Sequence, residues 1–211
     1  MPFARILRYE MEHAGLSVES YCMTERFKRE KEIDQFDNRP VLAFEQLDAI
    51  YGKKNFRIFL AIGYDDMNRG RERLFQKCME RDYEIGSYIS PDVDIETVQM
   101  GKGNIILKYS RLGRFSTIGN GNIIWGSSTG HDGTIGDFNF LSGCLLGGMT
   151  SLANNCFVGM RSVVKEDISI GSYCLVGEGA ILNKSIPDNT LVMPPRQRFI
   201  RANTENLAVL L

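Results

Sequence analysis

The chain of 211 residues has few histidines and no net positive charge. Its two histidines, His13 and His131, are too few for a histidine-rich metal site. The formal net charge of -1 argues against nucleic acid as a partner. No apolar run is long enough to span a membrane, and no charged and apolar leader with a cleavage site opens the sequence. We therefore expect a soluble protein that is not exported.

The five cysteines are odd in number and include no Cys-x-x-Cys pair. This pattern is typical of a reducing compartment and predicts a cytoplasmic protein. Cys156 and Cys174 are eighteen residues apart, which places them in one column of the repeat described next. We interpret both as small buried side chains and not as a disulfide.

A six-residue apolar repeat organises residues 100–186. The recurring residues are Met100, Ile106, Leu112, Ile118 and Ile124, followed by Leu146, Leu152, Val158, Val164, Ile170, Val176 and Leu182. A period of six fits neither a helix nor a plain strand, so each unit is predicted to be a short strand and a bend that glycine tolerates. Three units would close a triangular coil, and stacked coils would bury the apolar side chains. The repeat is one residue short between Ile124 and Ile135 and again between Leu141 and Leu146, on either side of His131.

The residues before the repeat predict a small parallel α/β layer. We expect helices over residues 3–14, 44–51 and 68–81 and strands over residues 16–23 and 56–62, with a charged solvated loop over residues 24–40. On the last helix, the predicted inward side chains are Leu74, Phe75, Cys78 and Met79. After the repeat, residues 201–211 are predicted to form a terminal helix or strand that caps the last coil.

A nucleotide-binding α/β unit begins with a strand and a glycine-rich turn whose amides meet phosphates. Here Met1, Pro2 and Phe3 stand where that turn would be, so we expect phosphate binding at this point to be weakened. The turn at residues 61–66 is then the candidate ligand edge, with Gly63, Tyr64 and Asp65 as its substrate-binding residues. An ordinary strand-to-helix loop is the alternative.

His131 and Asp132 are the candidate catalytic pair. They lie in GHDGTIGDF (residues 130–138), a polar and glycine-rich corner of the repeat that we expect to face outward. An imidazole beside a carboxylate can take a proton from an amine or a hydroxyl near neutral pH. The alternative is a loop histidine without a role.

This motif within a hexapeptide repeat, behind a small α/β layer, resembles the bacterial sugar acyltransferases that modify amino sugars in bacillosamine, perosamine and sialic acid pathways. The similarity extends from the first helix to MPPR at residues 193–196. It implies an α/β plus all-β fold, with a Rossmann-like sugar-nucleotide domain at 1–84 that lacks its first strand and a left-handed parallel β-helix with a cap at 85–211. It also implies acetyl-CoA as cosubstrate, no metal, a nucleotide-activated sugar, and a homotrimer with sites between neighbouring prisms.

The resemblance also implies roles for individual residues. His131 would be the general base and Asp132 the acid that orients it, while the amide of Gly148 would contact the thioester carbonyl. Gly159 and Gly177 would lie along the pantetheine arm. Arg161, Arg196 and Arg198 could meet the CoA phosphates, although exposed arginines are more often solubilising charge.

Three departures from the family pattern affect recognition of the acceptor. They are the residues in place of the first turn, Phe140 in place of a second histidine, and VMPPR at 192–196 in place of Gly-x-Pro-Ala-Lys. The leading hypothesis is an acetyl-CoA-dependent N-acetyltransferase acting on a nucleotide-linked 4-amino-4,6-dideoxyhexose for surface glycan biosynthesis. The alternatives are O-acetylation of a sugar hydroxyl and a non-catalytic trimeric scaffold or sugar-nucleotide-binding protein.

Overall fold

The structure, a computed structural model, describes residues 2–53 and 55–196. Helices and short strands come first, and a stack of parallel coils follows them. The α-helices are Pro2–His13 (α1), Glu25–Lys31 (α2), Leu47–Tyr51 (α3) and Arg69–Glu80 (α4), with a 3-10 turn at Phe44–Gln46 before α3. None of the helices in this part of the chain is long and apolar enough to cross a membrane.

The coils form a prism with three parallel sheets as its faces. The first face contains Tyr88–Ile89, Ile105–Ile106, Ile123–Trp125, Phe140–Ser142, Phe157–Val158, Leu175–Val176 and Leu191–Val192. The second face contains Ser128–Thr129, Leu145–Leu146, Val163–Val164 and Ile181–Leu182. The third face contains Gln99–Met100, Thr117–Ile118, Thr134–Ile135, Ser151–Leu152 and Ser169–Ile170. Each coil visits the three faces in this order, so the chain turns at three columns of corners.

The six-residue repeat supplies the core of this prism, as predicted. The second residue of each two-residue strand points inward, and these side chains form one buried cluster that includes Ile106, Ile118, Leu146 and Val176. Met100 and Leu112 pack against the same cluster at its edge. Stacking therefore buries the apolar side chains that no single coil could bury alone.

The two short units of the repeat stack on each other. Ile124 pairs with Leu141, and Leu141 pairs with Val158, so these successive coils have seventeen residues. The omitted residue falls each time at the corner between the first and second faces, where Gly126 and Gly143 have φ of 56° and 55°. Glycine tolerates this left-handed backbone, and the inward residues stay in register below the shortened corner.

The corner between the third and first faces is held by a ladder of amides. We call residues 119–122, 136–139 and 154–156 the ladder corner. The Asn122 side chain accepts from Asn139 N (2.8 Å), and Asn139 Oδ1 accepts from Cys156 N (2.8 Å). Cys174 N donates to Cys156 Sγ at 3.4 Å, so both cysteines continue the column as small buried groups, and both are free thiols.

The first part of the chain contains two small sheets. Tyr21–Met23 pairs in parallel with Arg39–Ala43, which also pairs antiparallel with Gln35–Phe36, and Arg57–Ile58 pairs in parallel with Glu84–Ile85. The predicted loop at 24–40 is wrong, because it contains α2 and two strands. Thr24 caps α2 by accepting from Phe27 N at 3.4 Å, and α2 has no fully buried side chain, so its charge pattern resembled a loop. The strands predicted at 16–23 and 56–62 are shorter, at Tyr21–Met23 and Arg57–Ile58.

The other helices agree with the prediction to within a few residues. α1 begins at Pro2 and ends at His13, followed by Gly15 with φ of 83°. On α4, Phe75 and Cys78 are buried as expected, but Met79 is exposed, so its predicted inward orientation is wrong. Arg71, in contrast, lies on the buried side of α4.

The first part of the chain covers the first face of the prism. Leu7 and Met11 of α1 belong to one cluster with Ile105, Ile123 and Phe140, which are outward residues of that face. The third face presents Thr117, Thr134, Ser151 and Ser169 to solvent. The second face presents Leu145, Val163 and Ile181, all of them exposed. The outward residues of the second face are therefore apolar, and the described chain leaves them uncovered.

Candidate active site

His131 and Asp132 lie at the corner between the second and third faces. We call residues 130–133 and 147–150 the site corner. Asp132 has φ of 52°, and its carboxylate oxygen Oδ2 lies 2.8 Å from His131 Nδ1. The His131 side chain is 63% exposed and the Asp132 side chain is 57% exposed, so the pair faces outward as predicted. A carboxylate at Nδ1 fixes the tautomer with its proton there and leaves Nε2 as the free acceptor.

Gly148 lies on the next coil directly beneath this imidazole. A Cβ atom built on Gly148 would be 2.9 Å from His131 Nε2 and 3.1 Å from Cε1. The missing side chain therefore makes room for the ring. Within the described residues the Gly148 N–H donates no hydrogen bond, so a free amide lies in the same corner as the free ring nitrogen.

Backbone hydrogen bonds fix the coils of the site corner. Asp132 N donates to Arg114 O at 2.9 Å, Met149 N donates to His131 O at 2.8 Å, and Asp167 N donates to Gly148 O at 2.9 Å. The base and the glycine are thus held by neighbouring rungs of one ladder. A site on such elements holds its geometry better than one on a free loop.

The other candidate cofactor residues lie across the second face from Gly148. Gly159, Arg161 and Gly177 belong to the corner between the first and second faces, and Arg196 follows the last described strand of the first face, Leu191–Val192. A Cβ on Gly159 would be 2.9 Å from Glu178 N, so this glycine permits close stacking of the coils. The structure therefore divides the predicted cofactor residues between two edges of one face. Arg198 and residues 201–211, including the predicted cap, lie outside the described residues.

The candidate substrate residues Gly63, Tyr64 and Asp65 lie on the covered side of the prism. The Tyr64 ring lies over the first face, with its centroid 5.4 Å from that of Phe140 and 4.7 Å from that of Phe157. Phe3 also contacts Phe140, at a centroid distance of 6.3 Å. Phe3 and Phe140, which mark two departures from the family pattern, thus meet in one aromatic cluster beside Tyr64.

The first face lies opposite the site corner in the triangular section. The structure consequently brings His131, Asp132 and Gly148 together. It does not bring Gly63, Tyr64 and Asp65 to them within one chain.

The buried thiols are unsuited to nucleophilic catalysis. Burial raises the pKa of Cys144 to about 11 and that of Cys156 to about 12, which keeps both protonated near neutral pH. This agrees with the interpretation of Cys156 as a packing residue.

Arg71 and Asn68 are buried polar residues that the sequence reasoning missed. Both are 0% exposed. Arg71 precedes Phe75 by four residues and Cys78 by seven, so helical spacing alone places it on the buried face. That spacing was a usable signal, whereas no pattern indicated that Asn68 would be buried.

Comparison with known proteins agrees with this architecture. The profile of the bacterial transferase hexapeptide family (six repeats) matches residues 149–184. Over these residues the chain is similar to that family. It is also 25% identical over 153 residues to the bifunctional protein GlmU of Acinetobacter baylyi. That match covers 60% of this chain and 34% of GlmU, so the chain spans about a third of that relative's length.

Three solved structures are similar over most of the chain. PerB from Caulobacter crescentus, solved with CoA and GDP-perosamine, is 24% identical with a TM-score of 0.79, covering 90% of this chain and 88% of PerB. The acetyltransferase domain of PglB from Neisseria gonorrhoeae is 20% identical with a TM-score of 0.79, covering 92% and 95%. WeeI from Acinetobacter baumannii is 20% identical with a TM-score of 0.71, covering 89% and 88%. The predicted fold, a small α/β unit before a left-handed parallel β-helix, is confirmed.

Proposed function

We propose that the protein is an acetyl-CoA-dependent N-acetyltransferase acting on a nucleotide-linked amino sugar. The observation that carries this proposal is the His131–Asp132 contact of 2.8 Å, with Nε2 lying over Gly148. The similar structure of PerB contains CoA and GDP-perosamine, and a second PglB structure contains acetyl-CoA. The first supports an amino-sugar acceptor for this chain, and the second supports a thioester donor.

The roles of the residues follow from their geometry. His131 accepts the proton of the acceptor amine at Nε2 as the nitrogen attacks the thioester carbonyl, and Asp132 stabilises the imidazolium that forms. The Gly148 N–H is free to stabilise the negative charge that develops on the carbonyl oxygen. His131 then returns the proton to the departing sulfur. No acyl-enzyme is required, because positioning and one base are sufficient.

A complete site requires a second chain under this proposal. The two predicted domains would bind different substrates, with the sugar nucleotide held by residues 1–84 and the acyl donor held by residues 85–211. Within one chain, however, Tyr64 covers the first face while His131 lies at the opposite corner. We therefore propose a homotrimer in which the site corner of one chain meets the acceptor residues of its neighbour, and in which Gly159, Gly177 and Arg196 of that neighbour contribute to acetyl-CoA binding.

The second face supports this assembly. Its outward residues Leu145, Val163 and Ile181 are 48%, 37% and 71% exposed. An exposed apolar stripe of this kind marks an interaction surface. The site corner borders this face, so packing between second faces would bring other chains to His131. We also propose a cytoplasmic location, because all five cysteines are free thiols.

The reaction is tested by measuring thiol release from acetyl-CoA across a panel of acceptors. The panel contains UDP-, GDP- and dTDP-linked 4-amino sugars, sialic acid and simple amines. We expect saturable release with at least one 4-amino sugar nucleotide and an N-acetylated product by mass spectrometry. A base-labile ester product would indicate O-acetylation instead. Absence of both thiol release and acetyl-CoA binding by calorimetry would favour the scaffold alternative.

The assembly is tested by sedimentation equilibrium. We expect a trimer for the wild-type chain and dissociation for Leu145→Asp, which would bury a charge in the interface. Thr117→Asp, on the polar third face, is the matched control and should leave the mass unchanged. A wild-type monomer at assay concentration would contradict the shared site.

A further inference from the structure

Arg71 is a buried cation that contacts no carboxylate in the part of the chain that the structure describes. It lies near the start of α4 and is 0% exposed. Its guanidinium donates from Nε to Gly121 O (2.6 Å), from Nη1 to Ile62 O (2.9 Å) and Gly63 O (2.8 Å), and from Nη2 to Asn68 Oδ1 (3.1 Å), Phe138 O (3.0 Å) and Asn139 O (3.0 Å). Burial without a counter-ion lowers the pKa of this guanidinium.

These acceptors belong to two different parts of the molecule. Ile62 and Gly63 form the turn that carries the candidate substrate residues, while Gly121, Phe138 and Asn139 belong to the ladder corner. The single side chain of Arg71 therefore joins the turn to the prism. The neighbours of Arg71 strengthen the same junction, since the Asn68 side chain donates to Cys156 O at 3.0 Å.

Only an arginine can make this set of contacts. Its planar fork presents five N–H donors in fixed directions, whereas lysine has three donors on a flexible stem. An apolar side chain would remove the donor from the carbonyl groups of Ile62, Gly63, Gly121 and Phe138, whereas Asn139 O would keep its bond from Ile123 N. Arginine at position 71 therefore attaches the turn to the prism and also fixes the position of the turn.

The turn that Arg71 holds has a strained backbone. Asp66, Met67 and Asn68 are consecutive non-glycine residues with φ of 52°, 47° and 64°. L-residues rarely adopt this left-handed conformation in succession, so surrounding contacts must maintain it. Here those contacts include the Arg71 bond to Asn68 Oδ1, the Asn68 bond to Cys156 O and the pairing of Asp66 with Arg73. The turn holds Tyr64 against Phe140 and Phe157.

We propose that Arg71 is a positioning residue for the acceptor, which it serves by fixing the turn at residues 61–66, and hence Tyr64, against the ladder corner of the prism. The proposal rests on the proposed function, because it requires the acceptor to contact this turn. It does not place Arg71 in contact with the substrate. The acetyl-CoA residues lie at other corners of the prism, so binding of the donor does not depend on Arg71.

The test is steady-state kinetics of Arg71→Lys with the best 4-amino sugar nucleotide from the acceptor panel. We expect kcat/KM for the acceptor to fall by roughly tenfold to a hundredfold through a rise in its KM, because small misplacements of positioning groups have effects of this size. The KM for acetyl-CoA should not change. Arg73→Lys is the matched control, since Arg73 lies on the same helix, is exposed, and pairs with Asp66 through an interaction that lysine can replace.

A double-mutant cycle separates positioning from general stability. If Arg71 acts through Tyr64, Arg71→Lys should raise the acceptor KM far less in a Tyr64→Ala background than in the wild type. Additive effects, or an equal rise in both KM values, would overturn the role of Arg71 while leaving the enzyme assignment intact. Failure of the wild-type chain to transfer acetyl to any acceptor would overturn the proposed function, and the acceptor role of Arg71 with it.

Discussion

Two corners of the same prism use the same backbone geometry for opposite purposes. At the ladder corner, Asn122 and Asn139 are 0% exposed and bind successive coils to one another. At the site corner, His131 and Asp132 are exposed, and their side chains hydrogen bond only to each other within residues 2–53 and 55–196. Side chains turned inward therefore make the coil rigid, and side chains turned outward are free for chemistry.

The difference shows what each part of the repeat contributes. The backbone ladder is continuous at both corners, so His131 does not depend on side-chain contacts to keep its place. The ladder corner, in contrast, also receives Arg71 from α4 and joins the two parts of the chain. A change at the site corner should then affect catalysis more than stability, and a change at the ladder corner should do the reverse.

Replacement of His131 by alanine should have the largest effect. The substitution removes the proposed base, so kcat should fall by about 10²- to 10⁴-fold while the melting temperature hardly changes. Thiol release and thermal unfolding measure the two quantities. His13→Ala is the control, because His13 lies on α1 and its ring contacts Tyr9 O. Full acetyl transfer by His131→Ala would contradict the mechanism.

Asn122→Ala should show the reverse pattern at the ladder corner. The Asn122 side chain donates to Gly136 O at 2.8 Å and accepts from Asn139 N at 2.8 Å. Removing it leaves two buried groups without partners, which should lower the free energy of unfolding by about 3 kcal/mol. Urea denaturation measures this loss. Thr134→Ala, at an exposed position of the third face, should change the stability little, and an equal loss there would remove the distinction between the corners.

The sequence predicted the prism well because each inward residue of the repeat sees the same environment. The period is therefore visible without any tertiary information, and so are the two short units. The outward position of His131 beside Asp132 could also be predicted, because their corner is local in sequence. The positions of Arg71 and Tyr64 were not, since they depend on how α4 and the turn before it dock on coils some fifty to ninety residues away. The helix α2 was missed because it buries no side chain that a hydrophobic period could reveal.

Gly148→Ala tests whether the site corner depends on space as well as on the base. The new methyl group would lie 2.9 Å from His131 Nε2, so the ring must move away from its present position. We expect kcat to fall by about tenfold to a hundredfold with little loss of stability, because the backbone amide is retained. Gly70→Ala is the control, since its Cβ would lie 3.7 Å from the nearest side chain. Unchanged activity in Gly148→Ala would mean that the space above residue 148 is not required.

The buried Cys156 thiol of the ladder corner should make the stability of the protein depend on pH. Burial raises the pKa of Cys156 to about 12, whereas the pKa of a cysteine in an unfolded chain is about 8.5. Because the folded pKa is raised, the neutral Cys156 thiol stabilises the fold fully below the unfolded pKa. This stabilisation is lost as the pH rises from the unfolded pKa towards 12. Cys156→Ser removes the titration while keeping a small side chain that can hydrogen bond. Between pH 7 and pH 10 the wild type should therefore lose about 2 kcal/mol more of its free energy of unfolding than the variant, measured by urea denaturation at both pH values. Identical losses would show that the thiol at the ladder corner is accessible to ionisation, and the contrast with the exposed site corner would fail there.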